Sequence, residues 1–230
     1  MEIALKGVTK KYGDRVVFDR IDLTFKSGKI NCVLGPSGSG KSTILNILGG
    51  LTDFEGTVEK PQKVAYIFQE SRLLPNLSVW ENVEYVVLDL SKEARKALIE
   101  RLLKLTEIYD RRNDRPAALS GGMARRAAMA RAYAYPAELL LMDEPFSALD
   151  LGLKLRQMEV YNSLAKEYPR TSVFVTHDID EALLFSDTVT VLAKDGRIAD
   201  SFDIDAEREG RNLLDPGLTP LKARLYELLK

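Results

Sequence analysis

The sequence has one cysteine, Cys32, one tryptophan and one histidine. A lone cysteine excludes an internal disulfide. With no companion at metal-ligand spacing, Cys32 reads as a small buried hydrophobe in an apolar run. No stretch approaches the roughly 18 uncharged apolar residues that a membrane-spanning helix requires. The opening MEIALKGVTKKYGD lacks the basic start, apolar middle and small-residue cleavage site of a secretory signal, so a cytoplasmic location is expected. Charge bias is missing too, with a formal net charge of −1 and a pI near 6.0. Nucleic-acid binders usually carry a basic domain or face, so no nucleic-acid partner is expected. The 230 residues, 45% hydrophobic and 29% charged, suffice for one globular domain with a sizeable core.

Apolar patterning predicts strands over 3–8 and 16–25, joined by a polar turn at 10–15, and further strands over 30–34, 55–58 and 64–69. A helix is expected over 42–50, stopped by Gly49-Gly50. From Leu77 to Ala134 the texture is helical. Ser78 and Glu81 have capping-box spacing, and Ala94, Leu98, Leu102 and Leu105 mark one buried stripe. After Pro136, strands at 139–142, 172–176, 188–193 and 197–202 interleave with helices at 153–168 and 179–185, and a terminal helix is expected over 218–229.

Such alternation implies an α/β fold with a mainly parallel sheet covered on both faces. The opening strands make an antiparallel layer. The expected division of the single domain is an α/β core with that layer (1–76 and 136–204), an inserted helical subdomain (77–135) and a tail with a helix (205–230).

Gly35-Pro36-Ser37-Gly38-Ser39-Gly40-Lys41-Ser42 fits the phosphate-loop pattern G-x-x-x-x-G-K-[ST], between a predicted strand and a predicted helix. Its glycines let backbone N–H groups turn inward around phosphate oxygens. Lys41 supplies a charge for the β- and γ-phosphates, Ser42 a hydroxyl for Mg²⁺, and the helix beginning there a positive end that also engages Thr43. This predicts an ATP-type nucleotide site.

Leu139-Leu140-Leu141-Met142-Asp143-Glu144 then reads as a buried strand delivering two carboxylates at its C-terminal end, where open α/β sheets place ligands. Asp143 suits magnesium, and Glu144 suits the polarising of water for attack on the γ-phosphate. A third feature, Leu119-Ser120-Gly121-Gly122-Met123, opens a predicted helix running to about Tyr133. Its N-cap serine and bare glycines offer a second anion-binding end, although an ordinary helix cap fits these residues equally well. Two phosphate cradles with one set of metal and water residues suggest a head-to-tail dimer sandwiching each nucleotide.

Taken in order, these motifs resemble the nucleotide-binding subunit of ABC transporters over nearly the whole chain. Leu119–Met123 is similar to the family's LSGGQ signature, with Met123 in place of glutamine. The resemblance implies that Ser120, Gly121 and Gly122 contact ATP held by the opposite subunit. It also implies that Tyr12 stacks on adenine, that Gln69 of the Q-loop approaches Mg²⁺ and the attacking water, and that His177 of the H-loop meets the γ-phosphate. Ser147-Ala148-Leu149-Asp150 resembles the D-loop at the dimer interface.

In the family, transmembrane permease subunits dock beside the Q-loop. Here that places them between Gln69 and Val83, with Arg72-Leu73-Leu74-Pro75 and Trp80, although Trp80 fits the helical subdomain's core as well. The segments around Gln69 and Asp143 are similar to importer ATPases of the nitrate, sulfonate and taurine type. That likeness implies a solute-binding protein in the full complex and a peripheral position on the inner face of the cell membrane; with little chain after the α/β core, no appended regulatory domain is expected. The alternative from another class is a soluble ABC ATPase acting in DNA repair, translation or cofactor assembly.

Overall fold

The computed structural model describes residues 2–147, 149–208 and 210–229. Its centre is a six-stranded sheet ordered β5 (Val64–Ile67), β6 (Leu139–Asp143), β7 (Thr171–Thr176), β3 (Ile30–Leu34), β8 (Thr188–Leu192), β9 (Ile198–Asp203). All neighbours are parallel except β8 and β9. A separate antiparallel sheet holds β2 (Arg15–Phe25), β1 (Ile3–Tyr12) and β4 (Glu55–Glu59), in that order. The mainly parallel sheet and the antiparallel N-terminal layer are thus both present.

Strand alternation explains why the central strands are apolar without interruption. Leu139, Leu141, Val173, Val175 and Val33 pack on one face, against α1 (Lys41–Gly49) and the antiparallel sheet. Leu140, Met142, Phe174, Cys32 and Leu34 face the opposite way. There they meet α4 (Gly121–Ala134), α5 (Leu151–Glu167) and α6 (Ile179–Phe185). Both faces are covered, so neither can be polar. Cys32 is buried and free, and burial raises its thiol pKa well above the ordinary value, which makes it inert packing.

The segment from Leu77 to Ala134 carries α2 (Val79–Glu84), α3 (Lys92–Leu105) and α4. The capping box forms as expected: Glu81 N–H donates to Ser78 Oγ, and Ser78 N–H donates to Glu81 Oε2 at 2.7 Å. On α3 the buried stripe is rotated from its expected phase. Ile99, Leu102 and Leu103 are buried, Leu98 and Leu105 flank them, and Ala94 is exposed. A first turn that is solvated at Lys92, Glu93 and Ala94 shifts the apolar contact toward the helix's C-terminal half. The last helix is α7 (Leu218–Leu228), and no described helix is long and apolar enough to cross a membrane.

Four adjacent parallel strands, β5, β6, β7 and β3, release the chain at one sheet edge. The residues that follow them are Gln69, Glu144, His177 and the loop from Gly35 to Gly40.

Candidate active site

The phosphate loop is shaped by what fits around it. Gly38 and Gly40 have φ of 80° and 102°. A Cβ on Gly40 would lie 2.6 Å from the Phe18 ring and 2.8 Å from Val17, so β2 presses directly on the loop. Gly40 N-caps α1 with no side-chain hydrogen bond, and the first turn carries no acidic residue. The leading N–H groups of α1 are therefore left for an external anion.

Lys41 is buried, and its ammonium donates to the carbonyls of Gly35 at 2.8 Å and Pro36 at 2.9 Å. Burial lowers its pKa, while Glu144 and Asp143 oppose the shift. Held by backbone carbonyls among the described residues, this cation is ready to turn toward phosphate oxygens. The cavity beside it encloses about 500 Å³ and is walled by Ser37, Gly38, Gly40, Lys41, Ser42 and Thr43 on one side and by Tyr12 and Glu144 on others. A space of this size suits a nucleotide. Tyr12 is half exposed, and the Lys10 ammonium covers its ring at 4.5 Å. Gly35, Pro36 and Ser39 shape the loop without lining the cavity; the Ser39 hydroxyl is buried and has no hydrogen-bond partner among the described residues.

The carboxylates take different stations. Asp143 Oδ1 accepts the Ser42 hydroxyl at 3.1 Å, joining the strand end to the first turn of α1. These are hard oxygen donors of the kind that suit Mg²⁺. Among the described residues no cluster of three His, Cys, Asp or Glu can hold a metal by itself, so phosphate oxygens and water would complete its shell. Glu144 adopts a left-handed backbone, φ 45°, with its N–H donating to Val175 O at 3.1 Å. Its Oε1 lies 3.0 Å from His177 Nδ1, where an ionised carboxylate accepts an Nδ1–H. The buried Phe146 anchors the turn edge-on against Phe185 at 4.9 Å.

Burial raises the Asp143 pKa above the ordinary carboxylate value, against the pull of the Ser42 hydroxyl and with a further push from Glu144. A raised folded-state pKa favours the fold at low pH, and this contribution is lost as pH rises through the raised value. Asp143→Asn should therefore melt above the wild type at neutral pH, by about 1–3 °C. The gap should close in acid. Melting curves at the two pH values check this, and a lower neutral melting point for Asp143→Asn contradicts the burial account.

Gln69 is exposed two residues beyond β5, which stops at Ile67 rather than reaching residue 69. It does not line the cavity. Neither do Ser120, Gly121 and Gly122: Ser120 N-caps α4 by accepting the Met123 N–H at 3.3 Å, and a Cβ on either glycine would meet open space. In the D-loop stretch Ala148 lies outside the described residues, while Asp150 N-caps α5 through the Leu153 N–H at 3.0 Å.

Sequence reasoning missed Arg15, which lines the cavity and donates to Gly38 O at 3.2 Å. It also missed Arg125 of α4, whose guanidinium bonds the carbonyls of Pro145 at 2.9 Å, Ser147 at 3.1 Å and Gln69 at 3.2 Å. Arg131 on the same helix holds the carbonyls of Ser71 and Arg72. Proximity of Arg15 to Tyr12 in the chain was a usable hint. For Arg125 and Arg131 no local signal existed.

A family model described as ABC transporter matches residues 18–147. The aliphatic sulfonates import ATP-binding protein SsuB 3 of Nocardia farcinica is 42% identical, covering 97% of this chain and 89% of its own length. SsuB 2 of Pseudomonas savastanoi pv. phaseolicola is 40% identical over 99% of this chain and 83% of its own. Among solved structures, a bacterial ABC transporter cassette in dimeric form matches with a TM-score of 0.77 and 33% identity, over 89% of this chain and 100% of the other. The cbiO1 protein of Clostridium perfringens, part of the transporter complex cbiONQ, matches at 0.80 and 25% identity, over 87% of this chain and 88% of the other.

Proposed function

The chain belongs to the ABC transporter ATP-binding family and is an ATP hydrolase, and from that premise we propose that two copies close head to tail on two nucleotides to drive import of a small solute. One observation carries the dimer reading. The Lys41 cavity is lined by the loop, Tyr12 and Glu144, with Asp143 and His177 joined to it through Ser42 and Glu144, yet the open Ser120-Gly121-Gly122 helix end stands outside it. A second copy supplies that end across the interface, as one anion-binding terminus facing another's phosphates.

Within each half-site Tyr12 stacks on the base, the loop from Gly35 to Thr43 cradles the phosphates, and Lys41 turns from its carbonyls to meet them. Ser42 and Asp143 would hold Mg²⁺, with Gln69 as a further oxygen donor. When bound, the ion supplies neutralisation of phosphate charge. Glu144 accepts a proton from the attacking water, and His177 fixes the direction of that carboxylate from its Nδ1 side. The 1–76 and 136–204 core carries these groups. The 77–135 subdomain carries the signature end, and 205–230 forms the tail.

The permease docks between Gln69 and Val83. Leu74 and Arg72 are exposed there, whereas Leu73 and Trp80 pack against the main core and support the surface from beneath. Arg125 and Arg131 grip the carbonyls of 69, 71 and 72 from α4, so pressure on this segment moves Gln69 and the signature helix together. The names of the relatives favour a sulfonate-type solute, and an associated solute-binding protein and a place on the inner face of the membrane are proposed with it. Those names do not favour a soluble ATPase of DNA repair, translation or cofactor assembly.

Affinity capture from detergent-solubilised native membranes should recover a polytopic membrane protein. Leu74→Asp, a change at an exposed site, should shift stability by no more than about 0.5 kcal/mol and yet lose that partner by about tenfold or more. Capture of soluble proteins alone, under conditions that preserve transporter complexes, contradicts the importer reading.

A further inference from the structure

A cluster of ionised side chains brackets His177. Lys154, in the first turns of α5, places its ammonium 2.7 Å from Asp178 Oδ2 and 2.7 Å from Glu181 Oε1. Glu181 is buried, and its other carboxylate oxygen accepts the Thr176 hydroxyl. That hydroxyl oxygen accepts the Asp178 N–H at 3.1 Å. Asp178 Oδ1 also caps α6, taking the N–H of Asp180 at 2.8 Å and of Glu181 at 3.2 Å. The residues on either side of His177 are thus fixed by side-chain bonds, while His177 itself is 56% exposed and bonds to Glu144.

Lys154 compensates two carboxylates in this cluster. Burial pulls its pKa down, but the bonds to Asp178 and Glu181 outweigh that and leave it above the ordinary value. Without the ammonium, a buried carboxylate and its acidic neighbour would lose their counter-charge. Glu181 and Asp178 would then repel each other without a shared counter-charge, which loosens the Thr176–Asp178 turn.

We propose that Lys154 is a positioning residue for ATP hydrolysis, fixing the turn that sets how His177 meets Glu144. The Lys154 N–H donates to Asp150 O at 2.9 Å, so the same residue ties the stretch assigned to the dimer interface to the imidazole. This inference rests on the roles proposed above for Glu144 and His177.

Because His177 is the only histidine, a proton–nitrogen correlation spectrum of the full chain contains a single imidazole pattern. The wild type should show a proton on Nδ1, held by the contact with Glu144. In Lys154→Met that pattern should move toward tautomer averaging. Its kcat should fall about tenfold to a hundredfold, with KM for ATP within about twofold, as expected for a small misplacement of a reacting group. Lys154→Arg keeps a cation within reach of both carboxylates and should restore spectrum and kcat together. If Lys154→Met does not fold, Glu181→Gln breaks the same cluster from the other side and should move the spectrum the same way.

An unchanged imidazole pattern in a folded cluster variant overturns the role of Lys154. So does a kcat loss that Lys154→Arg leaves in place. His177→Ala separates the two levels: near-normal hydrolysis there removes the role given to His177, whatever the Lys154 spectra show.

Discussion

Glu144→Gln should reduce steady-state phosphate release by about a thousandfold, the range lost with a general base, while ATP binding persists. Glutamine preserves the volume of the side chain and keeps an oxygen that can accept the His177 Nδ1–H. It removes the ability to take a proton from water. Neighbouring Asp143 is not expected to substitute, because its carboxylate is committed to the Ser42 hydroxyl and, unlike Glu144, it does not line the cavity. With binding retained and turnover blocked, the dimer should accumulate in its closed form. Size-exclusion chromatography with ATP should show a dimer for Glu144→Gln and mostly monomer for the wild type after turnover. Hydrolysis within about tenfold of wild type would strip Glu144 of its assigned role. A blocked enzyme that stays monomeric with ATP bound would instead count against the sandwich.

Lys41→Ala should act earlier, at binding. Loss of a buried charge-assisted contact to phosphate weakens ATP affinity by about a hundredfold or more. The free protein should tolerate the change. Lys41 is desolvated there and, among the described residues, bonds the Gly35 and Pro36 carbonyls, so removing it eliminates a buried cation at the cost of two carbonyl partners. Titration with a fluorescent ATP analogue, alongside a thermal melt without nucleotide, separates the two effects. Near-normal affinity in Lys41→Ala would mean that backbone N–H groups and the helix end alone hold the phosphates.

Much of this site was legible in the sequence because its groups are local to strand ends. The parallel strands β5, β6, β7 and β3 lie side by side, so short motifs far apart in the chain emerge at one edge. An unbroken apolar run followed by two acids is sufficient to locate Asp143 and Glu144. The boundaries read less well: β1 runs on to Tyr12 and β5 stops before Phe68, since pairing with a neighbour, not hydropathy, sets where a strand ends. The phase of α3 was misread because Leu and Ile flank its buried face on both sides, and composition does not say which is covered. Arg125, Arg131 and Lys154 were invisible for a different reason. Each acts through a single long side chain on backbone or carboxylate oxygens of distant segments, and such contacts leave no period.

The close seating of Gly40 against Phe18 and Val17 has a consequence for how this protein can vary. The contact joins the sheet that carries Tyr12 to the loop that carries Lys41, so the base wall and the phosphate wall share one mechanical joint. Position 40 cannot gain even a methyl group while residues 17 and 18 keep their bulk. A smaller ring or branch on β2 would open that space but would also let the loop relax. Position 40 is held to glycine twice over, by its φ of 102° and by the bulk of residues 17 and 18, so making room on β2 does not by itself admit a side chain there.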